Sequence, residues 1–546
     1  MLFVNAISKS YELKSILKEV SFSILPGERA ALLGANGCGK TTLIRILQGQ
    51  ERADSGSFQF TPPNLEVFFL PQRKIFAPGA TLADVLETGI DSLGDAASQL
   101  EMLAENLALH PDDPELMHAF DQALHRIDKA PLDPDRVRDA LRETGLDAFP
   151  MEFLVSNLSG GQKTRLLLAK MLLSEPDFLI LDEPTNDLDE EMLAWLENQL
   201  IAFKGGVLYV SHDRAFLNHT ATKLLEINRN THELKTSIGN YEDWLRLREM
   251  EEAAALRSWN RQRHQIRDLR KAIARTRENA DFRKGGKADS GDKFAKAFFA
   301  NRSKGTMKNA VLLEARLEKL IAEQTDKPGR FWKMKMEFPF IKESGEQVLI
   351  LEEADIGYPG RVLLEAVNLR LTRGHICVLV GTNGSGKTTL LRTIIGELPP
   401  LAGTVRSGAN VKTGFLSQGM DSPLFKENAL ETVRSLSGMN ETEMRRFLSY
   451  YLFFGDEVFV PVEKLSNGQR ARLTLACFTL TGTNFLILDE PLNHLDIESR
   501  EQFEEVLRNF PGTALMVAHD RYFVERCATL IWQITDCKLC EIQMRN

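Results

Sequence analysis

The chain has 546 residues, a length that suits two to four domains of ordinary size. Hydrophobic residues make up 43% and charged residues 26%, with no apolar run of about 18 residues for a membrane span and no basic-then-apolar opening of a secretory signal. The formal charge of −9 argues against a general nucleic-acid binder, yet Arg257 to Lys335 holds 22 Lys/Arg against 9 Asp/Glu, so the charge is segregated.

In chain order, the first strong signal is the apolar run Ala30-Ala31-Leu32-Leu33, predicted as a strand. It leads into Gly34-Ala35-Asn36-Gly37-Cys38-Gly39-Lys40-Thr41 and then a helical pattern. Strand, glycine-rich loop and helix are the setting that a phosphate loop needs. Its backbone N–H groups, continuing to Thr42, form an anion-binding nest at a helix N-terminus. Lys40 is expected at the β- and γ-phosphates of a nucleotide and Thr41 on Mg²⁺. Cys38 stands where only backbone is needed.

Gln72 follows a second short apolar run. From Thr88 to Asp133 the chain is acidic, with 10 Asp/Glu and 2 Lys/Arg, and reads as two helical stretches broken at His110-Pro111-Asp112-Asp113-Pro114. Leu158-Ser159-Gly160-Gly161-Gln162 opens another helix, and a serine with small residues at a helix N-terminus makes a second anion site. Phe178-Leu179-Ile180-Leu181 is apolar throughout, as a buried parallel strand requires. Asp182 and Glu183 end it, and burying two carboxylates there is costly without a cation. Asp182 is expected to hold Mg²⁺ and Glu183 to polarise an attacking water. His212 follows Glu183 by 29 residues, after Val207-Leu208-Tyr209-Val210-Ser211, and is expected at a γ-phosphate.

Residues 241–343 carry none of these motifs. Trp259, Ile266, Leu269 and Ile273 keep helical spacing, as do Leu313, Leu317, Leu320 and Ile321. Between them lies a basic, glycine-punctuated tip, Phe282 to Gly305, in which Lys293, Lys296 and Arg302 alternate with Phe294, Phe298 and Phe299. Cations interleaved with aromatics suit a phosphate backbone and exposed bases.

The first pattern then repeats. Cys377-Val378-Leu379-Val380 leads into Gly381-Thr382-Asn383-Gly384-Ser385-Gly386-Lys387-Thr388, with Thr389 next; Gln418, Leu465-Ser466-Asn467-Gly468-Gln469, Asp489-Glu490 and His519 follow in order. The offset is 347 at the lysines, 346 at the glutamines and 307 from the serines onward, which places an insertion of 39 residues in the first copy. Of the six cysteines, most sit in apolar stretches, as in a reducing compartment; Cys537 and Cys540 form a single CxxC, too little for a zinc site.

These motifs resemble those of the ATP-binding cassette ATPases: phosphate loop, glutamine loop, LSGGQ signature, acidic strand end and switch histidine. The resemblance implies an α/β fold with two nucleotide-binding domains packed head to tail. Site one would join Lys40, Thr41, Gln72, Asp182, Glu183 and His212 to Ser466 and Gly468. Site two would join Lys387, Thr388, Gln418, Asp489, Glu490 and His519 to Ser159 and Gly161. It implies ATP and Mg²⁺ as ligands, with Gln72 and Gln418 near the metal, and Tyr11 and Tyr358 stacked on adenine. Asn467 replaces a signature glycine.

Tandem cassettes with a basic helical linker resemble the ABC-F family, as does Glu183-Pro184-Thr185-Asn186; Asp187 stands where that family has histidine, and Leu492 departs in the second copy before Asn493-His494-Leu495-Asp496. The expected domains are a first cassette over 1–240, with an arm near 88–133, a linker over 241–343 and a second cassette over 344–546. This resemblance implies a cytoplasmic monomer, free of membrane and DNA, that binds the ribosome when closed by ATP and leaves it on hydrolysis. The linker would meet large-subunit rRNA and P-site tRNA near the peptidyl-transferase centre; the arm would meet a basic ribosomal protein or be structural. The role would be a translation factor or protection from antibiotics; the rival expectation is the ATPase subunit of a transporter with a separate membrane partner.

Overall fold

The computed structural model describes residues 1–12, 14–72, 74–87, 133–186, 188–284, 308–309, 311–322, 342–382, 384–417, 422–493, 495–518 and 520–542. The arm, except Asp133, and the linker tip beyond residue 284 therefore lie outside the described residues. The chain divides into two compact units, Met1–Tyr241 with Met334–Asn546, and Glu242–Lys333.

In the first unit, one half supplies β1 (Leu2–Tyr11), β2 (Lys14–Ile24), β3 (Arg29–Leu33), β4 (Ser55–Phe60), β5 (Val67–Leu70), β6 (Phe178–Asp182), β7 (Gly206–Val210), β8 (Lys223–Ile227) and β9 (Leu234–Ile238). The other supplies β10 (Gln347–Tyr358), β11 (Arg361–Thr372), β12 (Ile376–Val380), β13 (Ala402–Ser407), β14 (Thr413–Leu416), β15 (Phe485–Asp489), β16 (Thr513–Val517), β17 (Leu530–Thr535) and β18 (Lys538–Ile542). Each half has an antiparallel sheet, ordered β2-β1-β4 or β11-β10-β13, and a larger sheet, ordered β5-β6-β7-β3-β8-β9 or β14-β15-β16-β12-β17-β18. Among the described residues, β8–β9 and β17–β18 are the antiparallel pairs of the larger sheets.

The central strands β6, β7, β15 and β16 are buried at every residue, which is why they read as unbroken apolar runs rather than as alternation. Burying each large side chain of β6 contributes about 1.5–3 kcal/mol. Leu32, Ile180 and Leu208 of the larger sheet pack with Val4, Leu17 and Ile24 of the antiparallel one, and Leu379, Ile487 and Leu515 with Leu351, Ile356 and Leu371 in the second half. A helical layer closes each half: Leu82, Val137, Leu141, Leu158 and Leu166 form its core in the first, Leu430, Leu448, Tyr451 and Leu475 in the second.

The copies share irregularities as well as elements. Both β1 and β10 are bulged, with Ala6 and Glu353 at φ of 49° and 46°. The bulge N–H of Ala6 donates to Ser21 Oγ at 2.8 Å, and that of Glu353 to Asn368 Oδ1 at 2.9 Å. Only glycine fits opposite: a Cβ on Gly56 would meet Ala6 O at 2.4 Å, and on Gly403 Glu353 O at 2.0 Å.

The second unit contains most of a helix of 44 residues, Tyr241–Lys284, about 66 Å long at 1.5 Å per residue. Residues 311–322 are helical again. Most of the expected apolar stripe is present: Ile266 and Ile273 are buried, and Trp259, Leu269, Leu313, Leu317 and Leu320 are half-buried, but Ile321 is exposed. Among the described residues no helix is long and apolar enough to cross a membrane.

Candidate nucleotide sites

Each phosphate loop leaves a central strand and ends on a short helix, Lys40–Leu47 or Lys387–Ile394. Gly39 and Gly386 cap these helices at φ of 107° and 100°, a region other residues rarely adopt. A Cβ on Gly39 would also lie 2.8 Å from Ile16 Cγ2. Neither helix has a side-chain cap, so the first backbone N–H groups face into the loop. Lys40 Nζ donates to Gly34 O at 2.6 Å and Ala35 O at 3.2 Å; Lys387 Nζ donates to Gly381 O at 2.7 Å and Thr382 O at 3.0 Å. Burial pulls the Lys387 ammonium below its ordinary range, against the pull of Glu490 and Asp489. Gly384 and Ser385 fall inside the second loop, and Thr389 is buried in its helix.

The carboxylates end β6 and β15 beside these loops. Burial pushes Asp182 up to about 6 and Glu183 up to about 8, with Lys40 opposing both. Burial also raises Asp489, against a hydrogen bond from Thr388. Glu183 and Glu490 adopt left-handed backbone, with φ of 54° and 50°. Each is held there by its N–H, to Val210 O at 2.9 Å and Val517 O at 3.2 Å. His212 Nε2 lies 3.2 Å from Glu183 Oε1. Asn493 Nδ2 donates to Glu490 Oε2 at 2.6 Å.

The signature segments start the helices Gly160–Ser174 and Asn467–Thr481, each by a reciprocal cap. Gln162 N–H donates to Ser159 Oγ at 3.2 Å and Ser159 N–H to Gln162 Oε1 at 2.9 Å; Ser466 and Gln469 repeat this at 3.3 and 2.9 Å. Glycine in the first turn allows close packing: a Cβ on Gly468 would lie 3.1 Å from Ser499 Oγ.

Two clefts bring these parts together. The first, about 430 Å³, is lined by Tyr11, Asn36, Gly37, Gly39, Lys40, Thr41, Thr42, Gln72, Asp182, Glu183 and His212 of one half and Asn467 of the other. The second, about 500 Å³, joins Ser159, Gly160, Gly161 and Gln162 to Gly384, Glu490 and Asn493. Ser466 and Gly468 do not line the first cleft, and Lys387, Thr388 and Tyr358 do not line the second. Asn383, Gln418, His519, Asp187 and His494 lie outside the described residues.

Direct bonds also cross between the halves. Asn36 N–H donates to Asp496 Oδ2 at 2.8 Å, while Asp496 Oδ1 caps the helix Ile497–Arg508 through Ser499 N–H at 2.8 Å. The equivalent Asp189 pairs with Arg165 of its own half at 2.6 Å, and the counterpart of Asn36, Asn383, lies outside the described residues. Arg214 is buried against Glu504 in an ion pair and lies 3.5 Å from Asp520, which also pairs with Arg500 at 3.1 Å. The Tyr522 ring covers the Arg214 guanidinium at 5.3 Å.

The family model described as ABC transporter matches residues 17–186 and 364–493. ABC transporter F family member 2 of Arabidopsis thaliana is 33% identical over 97% of this chain and 76% of its own length. The chain belongs to the ABC-F family. Another relative, the Energy-dependent translational throttle protein EttA of Escherichia coli, is 33% identical over 96% of this chain and 90% of its own. The solved structure of RNase-L Inhibitor shares the fold, with a TM-score of 0.61 at 16% identity, covering 99% of this chain and 91% of that one.

The glycine-rich loops between strand and helix, the carboxylates at strand ends and the serines opening helices were all readable from sequence. Arg214, Glu504, Arg500 and Asp520 were missed. A signal existed: His212-Asp213-Arg214 and His519-Asp520-Arg521 repeat at the same offset of 307. A buried ion network between distant segments leaves no local pattern, however, and its partner Glu504 sits in an ordinary acidic helix.

Proposed function

We propose that this ABC-F protein is a cytoplasmic ATPase that works as a clamp on the ribosome, with two ATP sites, each completed by the opposite cassette. The observation carrying this reading is that each cleft joins a phosphate loop or its glutamate to the other half's signature segment. Lys40 and Lys387 would exchange their carbonyl partners for β- and γ-phosphate oxygens. Thr41 with Asp182, and Thr388 with Asp489, suit Mg²⁺: a hydroxyl and a carboxyl whose burial leaves it in want of a cation form a hard oxygen set. When bound, Mg²⁺ neutralises charge on the β- and γ-oxygens. Glu183 and Glu490 would orient the attacking water, His212 and His519 would hold the γ-phosphate, and Gln72 and Gln418 would sense the metal. Ser159 and Ser466 would add helix N-termini to the γ-phosphate from across.

The ribosomal target rests on the name of the relative EttA, an energy-dependent translational throttle, and on the linker's charge. With 22 Lys/Arg against 9 Asp/Glu, that segment suits rRNA and P-site tRNA, whereas the remainder of the chain is acidic. ATP would favour the closed form that binds, and hydrolysis would open it. The domain limits 1–240, 241–343 and 344–546 and a monomeric state belong to the same reading.

The test is the double variant Glu183→Gln, Glu490→Gln. With ATP it should bind nucleotide, fail to turn it over and move with ribosomes through a sucrose gradient. Sedimentation with membranes, or no ribosome association in the locked form, would overturn the reading.

A further inference from the structure

Tyr11 and Tyr358 occupy equivalent positions at the ends of β1 and β10 and are equally exposed, at 45% and 43%. Their surroundings differ in kind. The Tyr11 phenol donates to the Glu51 carboxylate. The Lys9 ammonium lies over the ring, 5.6 Å from its centroid, within cation–π range. Lys9 is itself fixed: it donates to Arg52 O at 2.7 Å and pairs with Glu51 at 3.5 Å and Asp54 at 3.3 Å. Asp54 is anchored in turn by Ser10 N–H at 2.7 Å. The hydrogen bond to Glu51 holds the Tyr11 hydroxyl above the ordinary phenol range.

The second half keeps the backbone of this corner and discards its charges. Asp54 N–H donates to Ser8 O at 2.9 Å and Glu51 N–H to Arg45 O at 3.3 Å; the equivalents, Leu401 N–H to Asp355 O at 2.8 Å and Leu398 N–H to Arg392 O at 3.3 Å, match them. At the offset of 347, however, Lys9 becomes Ile356, Glu51 becomes Leu398 and Asp54 becomes Leu401. None of these can accept from the Tyr358 phenol or place a cation on its ring.

We propose that Lys9 and Glu51 are positioning residues that hold Tyr11 as a fixed stacking platform for the adenine base at site one. Site two lacks the device, so the two sites bind ATP with different affinity. This rests on the reading that Tyr11 and Tyr358 face the base, which for Tyr11 is supported by its place in the cleft with Lys40 and Thr42. A free tyrosine must be immobilised when a base stacks on it, whereas a ring already pinned at its hydroxyl and face has lost that freedom.

The experiment measures ATP and Mg-tripolyphosphate binding to the full chain by calorimetry, with site one isolated by Lys387→Ala and site two by Lys40→Ala. Replacing Lys9, Glu51 and Asp54 by Ile, Leu and Leu should weaken ATP binding at site one about two- to tenfold, the effect of freeing one side chain. It should leave site two unchanged. Tripolyphosphate, which has no base, should bind site one as before, which also shows that the variant is folded. The reverse exchange, Ile356→Lys with Leu398→Glu and Leu401→Asp, should tighten ATP at site two. Equal ATP affinity before and after the first exchange, or an equal loss for tripolyphosphate, would overturn the proposal. Tyr11→Ala separates the layers: if it leaves ATP binding intact, the base-stacking reading fails; if it weakens ATP while the exchange does not, only the pinning fails.

Discussion

Glu183 is held in a state that costs the nucleotide-free protein stability. Its left-handed backbone costs on the order of 1–3 kcal/mol, and its carboxyl is buried among the residues that line the first cleft. Burial raises its pKa from 4.5 to about 8. The folded state therefore keeps a proton that the unfolded chain releases above about 4.5. The stability this gives is full below that pH and is lost as pH rises through 8. Glutamine does not titrate, so Glu183→Gln should stabilise the nucleotide-free protein increasingly from pH 5 to pH 8 and evenly above it. The gain should reach the order of a few kcal/mol. Thermal melts of both proteins across that range measure it, and a gap independent of pH would refute the account. Sequence alone marked Glu183, because four apolar residues before two carboxylates is a local pattern. Its strain was not legible, since a backbone angle set by the bond to Val210 depends on a strand distant in the chain. The same limit applies to Tyr11, whose partner Glu51 is recognisable only once the corner is folded.

Helices and strands were easier to read than their junctions. The wholly apolar β6 and β15 and the serine-opened signature helices stood out, because burial and capping each impose a residue type. The bulges of β1 and β10 did not, because the demand falls on Gly56 and Gly403 in other strands. Capping gives a direct prediction. Ser466 closes its helix by accepting from Gln469 N–H, so Ser466→Ala should destabilise the second half by about 1 kcal/mol. Urea unfolding of the nucleotide-free protein measures the loss. Ser466→Asp should restore the cap, so stability should return; if Ser466 meets the γ-phosphate as proposed, the added negative charge should keep ATP turnover from returning. Recovery of both would show that the serine is a cap and nothing more.

Across the whole molecule, the halves are joined by buried charge. Removing one partner of such a pair costs about 3–5 kcal/mol, because the other is left buried and alone. Arg214→Ala should therefore destabilise strongly by equilibrium unfolding, whereas Arg214→Met with Glu504→Leu should recover most of the loss. Failure of the double variant to recover would point to Asp520 as the dominant partner. On the proposed reading the linker acts at longer range, through its charge. Along its described helix Arg257, Arg261, Arg263, Arg267, Arg270, Lys271 and Arg275 stand among few acids. Replacing four of them by glutamine should flatten the dependence of log ribosome affinity on log salt, by about 0.7–0.9 for each phosphate no longer neutralised. Filter binding at several salt concentrations tests this, and an unchanged slope would remove the linker from the interface.

Arg214 and Glu504 are 290 residues apart in sequence, and Asn36 and Asp496 are 460 apart. A polypeptide is made from its N-terminus at about 5–20 residues per second, so Arg214 emerges roughly 15–60 s before the carboxylate that neutralises it. Throughout that interval the early half must fold with a guanidinium and an open phosphate loop on its surface, kept wet until the later half arrives. Newly made chains thus pass through a stage in which a complete domain displays an unfinished face, and chaperone demand should be greatest there.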